Sequence, residues 1–307
     1  MVILIFDVQK NVLPLPMKIK LFLLYHMKKI IILLSVLFTF SGCGERSCKP
    51  ETIRVVTFNV RYDTPRDSLN AWPNRKEMVN AMFRFHGFDI IGTQEALHHQ
   101  LLDMCELPEY AYFGAGRDDG IHTGEHSAII YKKDRFQVLD SGNFWLSETP
   151  DKPGLGWDAT CCNRICSWMK FKDANTKKQF YVFNVHYDHQ GVVARRESSK
   201  LMLQKIKEIA GDLPVLFIGD LNATPEAEPT QIIKAAMRDA YDITAQPPYG
   251  PVGTFNGFRW NATLLNRIDY IFVSDHFSVL KYAALTDALE RRWPSDHLPV
   301  LADVILK

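Results

Sequence analysis

A chain of 307 residues with 36 Lys+Arg against 35 Asp+Glu has a formal net charge of +1, and 47% of its residues are hydrophobic. These values exclude a disordered chain, a collagen-like repeat and a disulfide-stapled miniprotein. The near-neutral balance gives no support to a histone-like, strongly basic nucleic-acid binder.

From Met27 the chain reads MKKIIILLSVLFTFSGCG. Lys28 and Lys29 form a positive start, Ile30 to Phe40 an apolar stretch, and small residues precede Cys43. That order is expected of a secretory signal too short for a comfortable membrane span. Its end resembles a bacterial lipoprotein box, with Cys43 as the lipidated residue. Residues 1–26 then read as an upstream extension, 27–42 as the signal, 43–51 as a lipidated linker and 52–307 as one α/β domain. The expected location is the bacterial cell envelope, with the membrane reached through the lipid alone. Residues 1–42 hold five lysines against Asp7, so the remainder carries a net −3.

Along that remainder, Thr52–Val60 alternates with β-branched residues and predicts a strand. Pro73–Phe85 predicts a helix with Pro73 in its first turn. Asp89–Gln94 predicts a buried strand and Ala96–Cys105 a helix. Ser127–Tyr131, Phe136–Trp145, Ile165–Phe171 and Phe180–His186 predict four more strands. Val192–Ala210 is the longest helical stretch, with Met202, Ile206 and Ile209 on one face. Pro214–Ile218 predicts a strand, Glu226–Met237 a helix, and Ile268–Val273, Phe277–Ala283 and Val300–Leu306 three strands. Cys161, Cys162 and Cys166 read as packed thiols, with a zinc cluster or a disulfide from Cys166 to either neighbour as alternatives.

Phe58-Asn59-Val60-Arg61-Tyr62-Asp63 returns as Phe183-Asn184-Val185-His186-Tyr187-Asp188, differing at one position. Such an echo suits two similar sheet halves whose central strands end at one site. Polar residues also collect where apolar strands end: Asn59, Gln94-Glu95, His186, Asp220 and Asn222, Asp269, and Asp296-His297. Single polar residues at strand ends are usually turn formers, but six segments doing so point to one site. Carboxylates and amides offer hard oxygen ligands, which suit Mg2+ or Mn2+ rather than zinc. An Asp beside a His fixes the tautomer of the ring and raises its pKa.

These motifs resemble the endonuclease/exonuclease/phosphatase (DNase I-like) superfamily. They are Asn59 in TFNVRYD, Gln94-Glu95, His186 in FNVHYDH, the GDLN run at 219–222, the RIDYI run at 267–271 and the SDHLPV run at 295–300. The resemblance implies a four-layer α/β/β/α sandwich and a divalent-metal phosphoesterase. It implies Glu95, Asn59 and Asp296 at the metal and Asp220 at the attacking water. It also implies Asn222 and His186 at the phosphate, and Asp269 orienting His297 in the transition state. Some members carry an acidic residue where this chain has Arg61, so a single metal is expected.

Three readings of function follow. The first is a phosphodiesterase or phosphatase acting on a small or glycan-linked phosphoester; its −3 body has no bulk attraction for a polyanion. The second is a nuclease acting on RNA or DNA. The third is a lipoprotein that binds a phosphorylated ligand without turnover, disfavoured by the intact acid/base set. Arg164, Asp188, His189 and the rim residues Trp157 and Trp293 are the expected substrate contacts, because a rim aromatic can stack on a base or a sugar face.

Overall fold

A computed structural model of the chain describes residues 16–39 and 51–307. The chain divides into two compact units, 1–49 and 50–307. In the first, helix α1 (Met17–Thr39) runs through the boundary expected between extension and signal. The proposed lipidation site, Cys43, lies outside the described residues. Among the described residues no helix is long and apolar enough to cross a membrane.

The second unit contains two six-stranded mixed sheets. Its strands are β1 (Ile53–Asn59), β2 (Ile90–Gln94), β3 (Tyr110–Phe113), β4 (Ile129–Lys132), β5 (Phe136–Trp145) and β6 (Ile165–Asp173). They continue as β7 (Gln179–His186), β8 (Val215–Asp220), β9 (Arg238–Asp239), β10 (Asp269–Val273), β11 (Phe277–Ala284) and β12 (Val300–Leu306). The first sheet runs β11-β12-β1-β2-β4-β3 and the second β5-β6-β7-β8-β10-β9. Each sheet has one parallel pair, β1 with β2 and β7 with β8, and every other pairing is antiparallel.

A parallel pair needs a crossover, usually helical. Helices α2 (Lys76–His86) and α4 (Val192–Ala210) supply the two crossovers. The repeated FNV segments therefore sit on corresponding strands, each third in its sheet and each next to the parallel partner. The expected architecture of two similar halves is what the chain forms.

Strands buried on both faces explain the dense apolar runs. Val55, Ile90 and Val182 pack between the sheets with Phe171, Leu216 and Ile271. Val56 and Phe58 face α2 and α3 (His98–Met104), meeting Val79, Phe83 and Leu101. Phe183 and Phe217 face α4 and α5 (Glu228–Lys234), meeting Met202 and Ile233. These are the four layers.

Boundaries shift where local geometry intervenes. Pro73 belongs to a short 3-10 turn (Trp72–Asn74), and α2 starts at Lys76. Gly87 ends α2 at φ 61, its N–H donating to Phe83 O; glycine takes this left-handed position without a Cβ penalty. Strands β3 and β9 and the four-residue α6 (Ala240–Ile243) were not predicted; the two-residue β9 and single-turn α6 are too short for a periodic signal.

Asn184 makes a buried polar bridge between the sheets. Asn184 on β7 donates through Nδ2 to Thr93 O (2.9 Å) and Ala128 O (2.8 Å), and its Oδ1 accepts from Gln94 Nε2 (2.7 Å). All three contacts are buried, and a buried polar group left unpaired costs about 1–3 kcal/mol. Asn184→Leu is therefore expected to lower unfolding stability by about 3 kcal/mol, read as a reduced urea midpoint with unchanged slope.

Candidate active site

The carboxyl ends of β1, β2, β7 and β8 converge on one cavity of about 500 Å³. Asn59 closes β1, and its Nδ2 donates to Glu95 Oε1 and to Asp220 Oδ2, both at 3.1 Å. One amide thus ties the end of the first sheet to the end of the second. Glu95 follows β2 at φ 63, a backbone position unusual for a side-chain-bearing residue. Its Oε2 accepts from Tyr62 N at 3.3 Å. Asp296 is 9% exposed, and Ser295 Oγ, which donates its one proton to Asn59 O at 2.7 Å, lies 3.2 Å from Asp296 Oδ1.

Asp220, at the end of β8, is 1% exposed. Burial, and then the nearby Asp269 carboxylate, push its carboxyl up to about 7. His297 Nδ1 donates to Asp269 Oδ2 at 2.9 Å, and its Nε2 lies 3.8 Å from Asp220 Oδ2. Burial opposes charge on this ring, yet Asp269 and Asp220 outweigh it and hold its pKa well above the ordinary value. Thr254 Oγ1 donates to the same Asp269 oxygen, and Asp269 Oδ1 has no hydrogen-bond partner among the described residues.

His186 has the opposite character. Burial, with Arg164 and Arg117 adding repulsion, pulls its pKa well below the ordinary value. Asn222 Nδ2 donates to its Nε2 at 3.0 Å and to Tyr187 O at 3.0 Å. The remaining ring proton therefore sits on Nδ1, which faces Glu125 Oε2 at 3.9 Å. All eight residues read from the sequence as catalytic or metal-binding are thus brought together.

Of the expected substrate contacts, Arg164 and His189 line the cavity. Asp188 lies behind them: it is 1% exposed, accepts from Gln190 N and Gly191 N, and pairs with Arg164 Nε at 3.6 Å. It positions Arg164 and does not face substrate. Trp293 is buried, stacked on Trp260 and donating to Arg259 O, so it anchors a loop and not the rim. Trp157 is half-buried, donates its backbone N–H to Glu148 and lies outside the cavity lining. Cys166 is a packed, buried thiol in β6 as expected, whereas Cys161 and Cys162 form a disulfide between neighbours.

Among the lining residues, Arg117, Glu125 and Phe255 carried no sequence signal. Arg117 and Glu125, paired at 2.5 Å, come from the loop between β3 and β4. Burial, and then Glu95, raise the Glu125 carboxyl to about 7. Arg61 makes a double contact with Asp67 and reaches Glu95 Oε2 at 3.8 Å. Phe255 packs edge-on against the His297 ring at 5.1 Å. Arg164 is 5% exposed, and its Nε and Nη1 have no hydrogen-bond partner among the described residues.

Two features of the cavity favour a cation. Burial first, and Glu95 in addition, disfavour charge on both Glu125 and Asp296, so three acidic groups crowd one another there. Asp220, Asp269 and His297 also bring one ligand atom each within 4.8 Å of the others, a buried group that could hold a metal ion once His297 has given up its Nε2 proton.

The endonuclease/exonuclease/phosphatase family model matches residues 56–297, a span that begins in β1 and ends at His297. An endonuclease/exonuclease/phosphatase structure from Bacteroides vulgatus is 43% identical, covering 84% of this chain and 100% of its own, with a TM-score of 0.80. A mannosyl-6-phosphatase structure from Bacteroides thetaiotaomicron is 42% identical, covering 83% of this chain and 100% of its own, with a TM-score of 0.79. A protein of Acanthamoeba polyphaga mimivirus is 28% identical over 55% of this chain and 67% of its own length. The chain spans only 31% of a second mimivirus relative. The strand-end acids and histidines, the paired six-stranded sheets and these matches identify the chain as a phosphoester hydrolase of the endonuclease/exonuclease/phosphatase family.

Proposed function

We propose that the chain is a divalent-metal-dependent phosphatase that removes the phosphoryl group from a phosphorylated sugar or glycan. The observation that carries this reading is Arg164. It is a buried guanidinium in the cavity wall whose Nη1 has no hydrogen-bond partner among the described residues and whose Nε meets only Asp188 Oδ2, at 3.6 Å. An unpaired buried donor of this kind is costly unless a ligand anion completes it. A terminal phosphate dianion supplies more oxygens for that purpose than a diester. The cavity of about 500 Å³ suits a small ligand, and Phe255 and Tyr62 offer apolar surface for a sugar ring. The Bacteroides thetaiotaomicron relative is a mannosyl-6-phosphatase, an activity of the same class.

In this reading Glu95, Asn59 and Asp296 hold the cation, Mg2+ or Mn2+ by their hard oxygen donors. When bound, the cation offsets charge on the transferring phosphoryl group. Asp220 takes the proton of the attacking water; a carboxyl raised to about 7 has the basicity this task needs near neutral pH. Asn222 and the neutral His186 orient the phosphoryl oxygens. His297, kept protonated and aimed by Asp269, donates to the oxygen on which charge develops. Arg164 and Arg117 take the outer oxygens. Export and anchoring through Cys43 form part of the same proposal, supported by the order of residues 27–43.

The test is a substrate panel with the purified chain in Mg2+: a mannose 6-phosphate, bis-(p-nitrophenyl) phosphate, single-stranded DNA and RNA. The sugar monoester is expected to have the highest kcat/KM. Rapid degradation of nucleic acid, with the monoester untouched, would replace this reading by the nuclease one.

A further inference from the structure

A second cluster of ligand atoms stands beside the cavity and takes no part in the proposed reaction. Cys161 Sγ, an Asp188 carboxylate oxygen and an His189 ring nitrogen lie within 4.8 Å of one another. Asp188 is 1% exposed, and its Oδ2 has no hydrogen-bond partner among the described residues. Its nearest charge is Arg164 Nε at 3.6 Å. The loop carrying Cys161 is fastened to this place. Asp158 caps α4, accepting from Val193 N and Ala194 N, and Thr160 Oγ1 donates to Gln190 Oε1. Cysteine and histidine beside one carboxylate are a donor set for a borderline-soft cation, with a fourth position left to water.

We propose that Cys161, Asp188 and His189 form a thiol-gated site for a divalent cation of the zinc class. The gate is the Cys161–Cys162 disulfide, because a thiolate and not a disulfide sulfur ligates such a metal. A dithiol reductant opens it. Two electrons and two protons pass to the Cys161–Cys162 bond, giving two thiols, while the reductant closes to its own disulfide. Cation binding then releases the Cys161 thiol proton to solvent.

The site reports on the cavity through His189. Arg164 Nη2 donates to His189 Nδ1 at 2.9 Å, so the neutral ring presents its one lone pair to Arg164. If Nδ1 takes the metal, Arg164 loses that acceptor. If Nε2 takes it, the ring proton moves to Nδ1 and opposes the guanidinium. Either way the occupied site disturbs the residue assigned above to the phosphate. The existence of the site does not depend on the reaction assigned there.

Co2+ serves as the probe, added to the full chain in excess Mg2+, with thiolate-to-cobalt charge-transfer absorption as the readout. The oxidised chain is expected to show no band. The chain reduced with a dithiol and desalted without oxygen is expected to show one, lost on adding Zn2+. Cys162→Ser, which leaves Cys161 unpaired, is expected to show the band without reductant. Cys161→Ser is expected to abolish it, and His189→Gln to weaken Co2+ binding by about tenfold or more. A band retained in Cys161→Ser overturns the proposal, as does its absence from both the reduced chain and a Cys162→Ser variant with native circular dichroism.

Discussion

Asp220→Asn is expected to lower kcat on a sugar phosphate by about 10³-fold while leaving KM within a few-fold. The amide keeps the size and the contact with Asn59 Nδ2 at 3.1 Å, but it cannot accept the water proton. His297→Ala is expected to cost on the order of 10²–10³ in kcat, because it removes a donor to developing charge. Asp269→Asn separates positioning from chemistry. With the Asp269–His297 bond weakened, the imidazolium is no longer held. The alkaline limb of the kcat profile is then expected to shift toward lower pH, since the folded-state pKa of His297 falls when its carboxylate partners are reduced in number. Rates as high in Asp220→Asn as in the parent chain, measured by phosphate release, would remove Asp220 from the reaction.

Arg164→Lys is expected to raise KM for a monoester by about 100-fold. It should also narrow the preference for monoester over diester. Lysine keeps the charge but loses the planar fork whose Nη1 has no hydrogen-bond partner among the described residues. The expectation is specific to KM: Arg164 is assigned to binding the outer oxygens, and kcat at saturation should change less. Thermal melting checks the fold, because Asp188 loses its 3.6 Å partner in the same variant. An unchanged monoester-to-diester ratio in a folded Arg164→Lys chain would take Arg164 out of substrate recognition.

The residues proposed as catalytic were legible in the sequence because they lie at the ends of regular apolar strands. Asn59, Glu95, His186 and Asp220 each follow a strand whose pattern is unmistakable, and paired strands bring their ends together. The FNV echo marked corresponding strands for the same reason. The basic wall was hidden because its parts come from loops, where no periodicity marks a residue. Arg117 and Glu125 sit between the Ala96–Cys105 and Ser127–Tyr131 segments, in a stretch of glycines and aspartates with no apolar strand pattern. Arg164 was recognisable because it touches the start of β6. The tryptophans misled because a loop position does not say whether an indole faces solvent. Trp293 finds Trp260 and a buried pocket instead. The Cys161–Cys162 bond was missed because pairing was sought across a spacer, while the thiol of Cys166 points into the core of β6 and α4.

The central claim is metal-dependent removal of a terminal phosphate by the Glu95–Asp220–His297 cavity. Its most direct measurement is inorganic phosphate release from a mannose 6-phosphate by the EDTA-stripped chain, before and after Mg2+ is restored. The account predicts no release in EDTA, full recovery with Mg2+, and no recovery when Glu95 is replaced by Gln. Release that persists in EDTA, or that returns equally in Glu95→Gln, would contradict it.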